Sequence, residues 1–247
     1  MNGILLVDKP KEWTSFDAVN KVRRLIQYSE LNVTGKKRFP VGHTGTLDPM
    51  ATGLLVLLLG KYTKKAPGLT KLDKVYEVTM HLGQTSSTGD VEGERTDVSD
   101  KQPTQEEIEK VLQQFTGDIM QTPPAYSAIK INGQRAYKLA RAGKEVVIEP
   151  RPVHIESIVF ASYEYPIVTF TAHVSSGTYI RSLVEDIGEV LGIGAYMSDL
   201  RRTKVGRFDI ADAINVEGIT LEAIQAATTV DQADPISTPE VSTETTE

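Results

Sequence analysis

A chain of 247 residues with 40% hydrophobic and 24% charged residues has the composition of a soluble globular protein that can bury a substantial core. The absence of cysteine excludes disulfides, thiolate nucleophiles and cysteine-bound zinc, and it favours an intracellular protein. The net charge of −6 argues at first against a nucleic-acid partner, but residues 229–247 carry −5 of it and leave −1 for residues 1–228.

The amino-terminal residues and the apolar runs predict a cytoplasmic protein without membrane contact. Charged residues recur through positions 8–17, where a secretory signal requires an apolar centre. The longest unbroken aliphatic run, Leu54–Leu59, has six residues and is far too short to span a membrane.

The first half of the chain shows one helical pattern and two strand patterns, at residues 16–26, 53–60 and 74–83. The helix can begin at Thr14 or Ser15, and Asp17 can close a capping box with Thr14. The segment "GLLVLLLG" predicts a buried strand, because it is short and bounded by glycines. A basic loop precedes this strand, and a polar loop, "TSSTGDVEGER", follows the second one.

The second half predicts a helix over 104–115, a short basic helix ending at Gly143, strands near 151–160 and 167–175, and a helix with Leu183, Ile187, Val190 and Leu191 on one side. Thr104 and Glu107 form a second capping box. The Asn-Gly pair at 132–133 indicates a hairpin turn. Strands and helices are mixed without regular βαβ alternation, which predicts an α+β fold.

The stretch "VGHTGTLDPMATG" places Asp48 beside the aliphatic run, where an unpaired buried carboxylate would cost free energy. Aspartate before proline is a common helix start, so Asp48 can be an N-cap. The preceding "GHTGT" favours a ligand site, because glycines allow close backbone approach and threonines supply hydroxyl groups. Capping and catalysis are compatible, since a helix dipole keeps a carboxylate ionised.

The stretch "VSSGTYIRSL" at 174–183 contains a second set of candidates. Its simplest interpretation is a polar strand–helix loop that turns at Gly177. Tyr179 and Arg181 nevertheless lie two positions apart, and arginine is the side chain best suited to orient a partly buried carboxylate. We therefore predict an ion pair between Arg181 and Asp48. Tyr76 lies in the strand over 74–83, where an aromatic core residue or a cross-strand partner is the simplest interpretation.

Three other kinds of site are not supported. "HTGTLD" is similar to the DKTGT signature of phosphorylated-aspartate enzymes, but Gly42 stands where the nucleophile belongs. "GIGAY" at 192–196 lacks the third glycine and the preceding strand of a dinucleotide fingerprint. The histidines show no metal-ligand spacing, so no metal is predicted.

Four basic clusters contrast with the low charge of residues 1–228. They are Lys36, Lys37 and Arg38; Lys61, Lys64 and Lys65; Arg135, Lys138 and Arg141; and the run "RRTKVGR", which begins with Arg201 and Arg202. A solvated surface explains one such group. Four of them predict an electrostatic footprint for a phosphate backbone.

Long motifs carry a family resemblance over residues 2–223. They are "LLVDKPKEWTSFDAVNKVRR", "GHTGTLDPMATGLLVLLLGKYTK", "KVYEVTMHLGQTSSTGDVEG", "PPAYSAIKINGQRAYKLARAGKEV", "SSGTYIRSLVEDIGEVLG" and "LRRTKVGRF". Their order resembles that in the bacterial tRNA pseudouridine-55 synthases, the TruB family. The resemblance implies the pseudouridine synthase fold, a mixed, largely antiparallel sheet with flanking helices and a thumb-like insertion.

The family isomerises a uridine in the tRNA T-loop to pseudouridine without a cofactor. By resemblance, Asp48 is the nucleophile, Arg181 pairs with it and Tyr76 stacks on the flipped uracil. Tyr179 and Leu200 line the pocket, His43 contacts the rearranged loop, and Lys9 and Pro10 support the site. A carboxylate can attack uracil C6 or ribose C1′, or stabilise charge at C1′ on the way to a glycal.

The resemblance also predicts the domain organisation and the partners. A catalytic domain covers 1–223, with an insertion at about 124–150 that closes over the T-loop, and an acidic disordered tail covers 224–247. Bacterial members usually continue into a PUA domain, whereas this chain continues into the acidic segment. The expected partner is the T-loop and elbow of tRNA, bound by a monomer without a protein partner. The alternatives are an RNA chaperone without enzymatic activity and a synthase guided by a separate RNA.

Overall fold

The computed structural model describes residues 1–32, 37–127, 129–131, 133–142 and 146–230, without the side chains of Lys130, Ile131, Arg135, Tyr137, Ala140 and Arg141. The insertion predicted at 124–150 and the cluster at 36–38 are therefore described in part, and residues 231–247 lie outside the described residues.

The elements up to residue 97 are β1 (Gly3–Lys9), α1 (Ser15–Gln27), β2 (Val41–His43), β3 (Thr52–Leu59), a 3₁₀ helix (Gly60–Lys65), α2 (Ala66–Leu69), β4 (Lys74–Leu82), β5 (Gln84–Ser86) and β6 (Arg95–Asp97). Helix α1 begins at the predicted capping box, because the Thr14 side chain accepts from the Asp17 amide and the Asp17 carboxylate accepts from the Thr14 amide. The predicted polar loop contains a small hairpin, since β5 pairs with β6.

The next elements are α3 (Gln105–Gln114), β7 (Gly117–Gln121), β8 (Lys130–Ile131), β9 (Gln134–Arg135), α4 (Ala136–Arg141), β10 (Arg151–Glu164) and β11 (Ile167–Val174). The chain continues with α5 (Ile180–Val190), β12 (Ala195–Val205), β13 (Phe208–Asp209), a 3₁₀ helix (Ile210–Asp212), β14 (Ile214–Asn215) and α6 (Leu221–Ala227). The Thr104–Glu107 capping box and the hairpin around 132–133 are confirmed.

Ten strands of the described chain form one mixed sheet. The order is β14-β1-β3-β12-β4-β11-β10-β7, with β2 paired to β3 and β13 paired to β12. All of these pairings are antiparallel except β1–β14 and β3–β12. The predicted α+β class and the largely antiparallel sheet are thus confirmed.

Strand β3 explains the aliphatic run in the sequence, because both of its faces are covered. Leu55, Leu57 and Leu59 pack with α1 and α6 on one face, and Leu54, Val56 and Leu58 pack in a separate cluster on the other. A strand buried on both faces is apolar at successive positions rather than at alternate ones.

The largest core cluster lies over the other half of the sheet. There α3 and α5 cover β4, β10, β11 and β12, with residues such as Phe170, Leu183, Ile187 and Met197. This cluster fixes the amino-terminal end of α5 against β4 and β12. Tyr76, Arg181 and Leu200 are therefore held on neighbouring rigid elements.

The predicted boundary between the domain and the tail is wrong. Residues 221–227 form α6, and the backbone groups of Thr229 exchange two hydrogen bonds of 2.9 Å with those of Ile4. The folded part therefore continues at least through Thr229, beyond the predicted boundary at residue 223.

Candidate active site

Asp48 lies in a tight turn, not at a helix start. Its carbonyl oxygen accepts a hydrogen bond of 3.1 Å from the Ala51 amide, with Pro49 at the second turn position. The N-cap interpretation is therefore wrong. The side chain of Asp48 is 41% exposed, so it is only partly buried beside the aliphatic strand. Its exposed part faces a neighbouring cavity.

The backbone on both sides of Asp48 is anchored to β1 and α1. The Ser15 hydroxyl accepts from the Leu47 amide at 2.8 Å and lies 3.1 Å from the Leu47 carbonyl oxygen. Beyond Asp48, the carbonyl of Pro49 accepts from the Glu12 amide at 2.8 Å and from Lys9 Nζ at 3.4 Å. Because these contacts fix the turn, they limit where the Asp48 carboxylate can go.

The side chain of Arg202 is hydrogen-bonded to the backbone of the "GHTGT" segment that precedes Asp48. Its side chain is 1% exposed, and it donates to the carbonyls of Leu54 at 2.8 Å and Gly45 at 3.0 Å. Gly53, at φ +102°, brings β3 against this position, since a Cβ there would lie 2.3 Å from the Arg202 carbonyl oxygen. Arg202 was predicted to bind RNA; the structure shows it buried and at the cavity wall rather than as an exposed surface cation.

The predicted ion pair between Arg181 and Asp48 is confirmed, and a second carboxylate joins it. Arg181 Nη2 lies 3.2 Å from Asp48 Oδ2, and Nη1 lies 3.6 Å from Asp90 Oδ2. The side chains of Arg181 and Asp90 are 8% and 5% exposed. Arg181 also donates to the carbonyls of Thr88 at 3.1 Å and Tyr126 at 2.9 Å. The guanidinium is thus fixed by backbone carbonyls and pairs with two carboxylates at once.

Sequence reasoning missed Asp90. Its side chain accepts from the Thr88 hydroxyl at 2.6 Å and from the Glu92 amide at 3.0 Å, so it is held independently of Arg181. The signal was the small-residue context "STGD", which resembles "TGTLD" around Asp48. In the sequence it was indistinguishable from an ordinary polar loop.

A cavity of about 380 Å³ opens beside Asp48, within the range of small-molecule sites. Asp48, Tyr76, Tyr179, Arg181 and Leu200 all line it. Tyr76 is 8% exposed: it packs in the core cluster, as its place in the strand predicts, and it also forms part of the cavity wall. His43 is not a wall residue; its neighbour Thr44 is.

Positive charge and burial alter the ionisation of three groups near the site. Burial lowers the pKa of Lys9 to about 8, although the nearby Asp48 carboxylate opposes this change. Burial and then the Arg202 charge lower the pKa of Lys74, which lines the cavity, to about 8. The same two causes lower the pKa of His43, so this imidazole is neutral at physiological pH.

Apart from Arg202, the predicted RNA-binding residues divide into three groups. Lys64, in the 3₁₀ helix after β3, and Lys138, on α4, are exposed. Arg201 pairs with Asp8 through contacts of 2.7 and 3.2 Å, so its charge is compensated within the protein. The backbones of Arg135 and Arg141 lie in β9 and α4, and their side chains lie outside the described ones.

The described residues include no cluster of three or more histidine, aspartate and glutamate side chains suited to a metal ion. No helix in the described ranges is both long enough and apolar enough to cross a membrane.

Two family models together cover most of the chain. The N-terminal domain of the TruB family pseudouridylate synthases matches residues 32–180, and the tRNA pseudouridylate synthase B C-terminal domain matches residues 181–237. The second match extends past the predicted boundary at residue 223, in agreement with the position of α6.

Several bacterial proteins are similar to this chain over almost its whole length. The tRNA pseudouridine synthase B of Pseudomonas aeruginosa (strain UCBPP-PA14) is 44% identical over 240 residues, which are 97% of this chain and 75% of that protein. The tRNA pseudouridine synthase B of Burkholderia mallei (strain NCTC 10247) is 44% identical over 228 residues, which are 92% of this chain and 70% of that protein.

Solved structures show the same fold. A chain in the crystal structure of a Cbf5–Nop10–Gar1 complex matches with a TM-score of 0.68 and 29% identity, over 92% of this chain and 59% of that one. A chain of an H/ACA RNP bound to a substrate RNA containing 2′-deoxyuridine matches with a TM-score of 0.63 and 27% identity, over 87% and 51%. This chain therefore spans between half and three-fifths of those chains. The fold and the aspartate–arginine site agree with these matches. The chain therefore belongs to the TruB family of pseudouridylate synthases.

Proposed function

We propose that this enzyme converts uridine 55, in the T-loop of tRNA, to pseudouridine. The observation that carries the proposal is the Asp48 carboxylate, which faces a cavity lined by tyrosines and is paired with Arg181. The relatives named tRNA pseudouridine synthase B support tRNA as the substrate class.

The reaction is an isomerisation in which the atoms of the nucleoside balance. The bond between N1 of uracil and C1′ of ribose breaks, and a bond between C5 and C1′ forms. The proton on C5 leaves, and N1 gains a proton. No electron acceptor, water or second substrate is needed, so the chemistry requires a nucleophile or charge stabiliser, a proton acceptor and a means of turning the base.

Asp48 supplies the negative charge. Its carboxylate can attack C1′ or C6, or stabilise positive charge at C1′, and each route needs an ionised oxygen in the cavity. The Arg181 guanidinium, 3.2 Å away, fixes the direction of the carboxylate. Because Asp90 shares the same guanidinium, the three groups carry a net charge of −1, which suits a site where positive charge develops on the sugar.

The cavity receives a base that has left the RNA stack. A uracil inside a folded loop is out of reach of Asp48, so we infer that the enzyme flips it outwards. Tyr76 stacks on the flipped base and helps remove the C5 proton as a relay, its phenol passing on one proton as it takes up another, and Tyr179 and Leu200 enclose the base. Stacking on an aromatic ring contributes about 1–3 kcal/mol and offsets part of the unstacking cost. His43, next to the cavity-lining Thr44, contacts the rearranged loop.

Exposed lysines and the insertion hold the RNA backbone. Arg201 is paired with a carboxylate, whereas Lys64 and Lys138 are exposed and have no carboxylate contact among the described residues. We infer that these two lysines contact phosphates of the T-loop and the elbow. Arg135 and Arg141 contribute from the insertion at 124–150. We infer that the enzyme acts in the cytoplasm as a monomer without a cofactor or a protein partner.

An unmodified tRNA transcript tests this function. Purified protein alone should release tritium from tRNA labelled at C5 of uridine, and sequencing should map one pseudouridine to position 55. A transcript with cytidine at position 55 should give no product. Binding without any product would favour the chaperone alternative, and product that appears only with added guide RNA would favour the guided alternative.

A further inference from the structure

The insertion at 124–150 leaves and rejoins the sheet at one end of the β7–β10 ladder. Strand β7 ends at Gln121 just before the insertion, and β10 begins at Arg151 just after it. In the antiparallel register of these strands, Gln121 is the direct partner of Arg151. The two attachment points of the insertion are therefore adjacent in space.

Gln121 contacts the backbone of Tyr179 in both directions. Its Nε2 donates to the Tyr179 carbonyl at 3.0 Å, and its Oε1 accepts from the Tyr179 amide at 2.8 Å. The Gln121 side chain is fully buried. A buried amide that satisfies both backbone groups of one residue fixes the position of that residue.

Arg151 contacts the same segment from the other strand. Its Nη2 donates to the Gly177 carbonyl, and its guanidinium carbon lies 5.2 Å from the centre of the Tyr179 ring. This distance is within the range of a cation–π contact. Gln121 thus holds the backbone of Tyr179, while Arg151 holds its ring and the turn that precedes it.

Two more contacts join the same regions. The Ser182 hydroxyl donates to the Thr122 carbonyl at 2.8 Å, and Arg181 donates to the Tyr126 carbonyl at 2.9 Å. The chain that leads into the insertion is therefore hydrogen-bonded to the first residues of α5, which also carry the partner of Asp48.

We propose that Gln121 and Arg151 are positioning residues that set the Tyr179 wall of the base pocket at the point where the insertion joins the sheet. Neither residue touches the reacting atoms. The proposal rests on the proposed function, because it assigns Tyr179 to the wall around the flipped uracil.

Catalysis is tested with Gln121→Leu and Arg151→Met, in single-turnover assays under saturating tRNA and in separate tRNA-binding assays. Both variants should react about 10- to 100-fold more slowly, as misplaced pocket groups do, while the tRNA dissociation constant stays unchanged. Arg151→Lys, which can still donate to Gly177, should recover part of the rate. The matched control is Asp118→Asn, which alters an exposed residue of the same β7–β10 ladder that pairs with His154 and not with Tyr179.

Gln121→Glu separates positioning from general stability. A protonated carboxyl can donate and accept like the amide, whereas a carboxylate cannot donate to the Tyr179 carbonyl. The rate of Gln121→Glu relative to the parent enzyme should therefore fall as pH rises, whereas that of Gln121→Leu should not depend on pH. Identical pH profiles for the two variants would overturn the proposal.

A spectrum of the free protein gives a readout that does not depend on activity. With ¹³C-labelled tyrosine, the ring signal of Tyr179, assigned by Tyr179→Phe among the 9 tyrosines, should shift in Gln121→Leu and Arg151→Met and stay in place in Asp118→Asn. If the ring signal shifts in these variants but the parent protein makes no pseudouridine, the positioning role is supported and the proposed function is contradicted. Normal activity in both variants, with an unmoved ring signal, would overturn the inference and leave the proposed function intact.

Discussion

The side chain of Arg181 extends from the start of α5 to the Asp48 turn and places Nη2 3.2 Å from Asp48 Oδ2. The pair joins two segments that are far apart in the chain. One is the turn between β2 and β3, and the other is the start of α5, which connects β11 to β12. Asp90 approaches the other side of the same guanidinium, at 3.6 Å. One arginine therefore orients a cavity-facing carboxylate and compensates a buried one, and these two duties can be separated by substitution.

Arg181→Met should destabilise the protein and abolish activity. It leaves the buried Asp90 carboxylate without its cation, and breaking a buried pair in this way costs about 3–5 kcal/mol. Arg181→Lys keeps a charge but cannot bridge both carboxylates, so it should recover stability more than activity. Urea unfolding and single-turnover assays measure the two effects. An Arg181→Met protein as stable as the parent would contradict this role.

Arg202→Met and Lys64→Ala should differ in their effect on salt dependence. Arg202 donates to two buried carbonyls, so its loss should lower the free energy of unfolding by about 2–3 kcal/mol and leave the salt dependence of tRNA binding unchanged. Lys64→Ala should leave stability unchanged and reduce the slope of log affinity against log salt by about 0.7–0.9. A reversed pattern would show that Arg202 contacts RNA after all.

Raising the pH should stabilise the folded protein through Lys74. Its pKa is about 8 in the fold and 10.5 as the ordinary value, so between these values the unfolded chain binds more protons. The free energy of unfolding should therefore rise from pH 8 to pH 10.5, and the contribution of Lys74 should be constant below that window. The difference between the parent and Lys74→Met, measured by urea unfolding at several pH values, isolates this effect. A parent that does not gain stability relative to Lys74→Met over this window would contradict the buried charge.

Removing the acidic tail should tighten RNA binding without affecting catalysis. Residues 231–247 carry all five acidic residues of the predicted tail and no lysine or arginine, so they repel a phosphate backbone. The truncation should end after Val230, because Thr229 pairs with Ile4. The gain in affinity should disappear at high salt. Lost activity in a folded truncated protein would show that the tail contributes to the reaction.

Local signals predicted a large part of the fold. The capping boxes at Thr14 and Thr104 involve residues three positions apart, so the sequence alone places these helix starts. The apolar run of β3 was interpretable because its length and bounding glycines favour a buried strand. The Arg181–Asp48 pair was predicted from chemistry, since a carboxylate beside an aliphatic strand requires a cation.

Long-range partners explain what the sequence did not reveal. Strand β12 lies in the middle of the sheet, yet its residues were interpreted as a basic surface cluster. Arg202 is buried there because the carbonyls of Gly45 and Leu54 accept from it, and nothing near Arg202 in the sequence indicates those acceptors. Asp90 was missed for the same reason, since its cation is supplied by α5.

The most direct test of the account is the single-turnover rate and the tRNA affinity of Asp48→Asn. The substitution keeps the size of the side chain and removes only the ionised oxygen that Arg181 orients. The account predicts no release of tritium from C5 and no pseudouridine at position 55, with tRNA binding largely preserved. Pseudouridine formed by Asp48→Asn at the rate of the parent enzyme would show that the chemistry lies elsewhere.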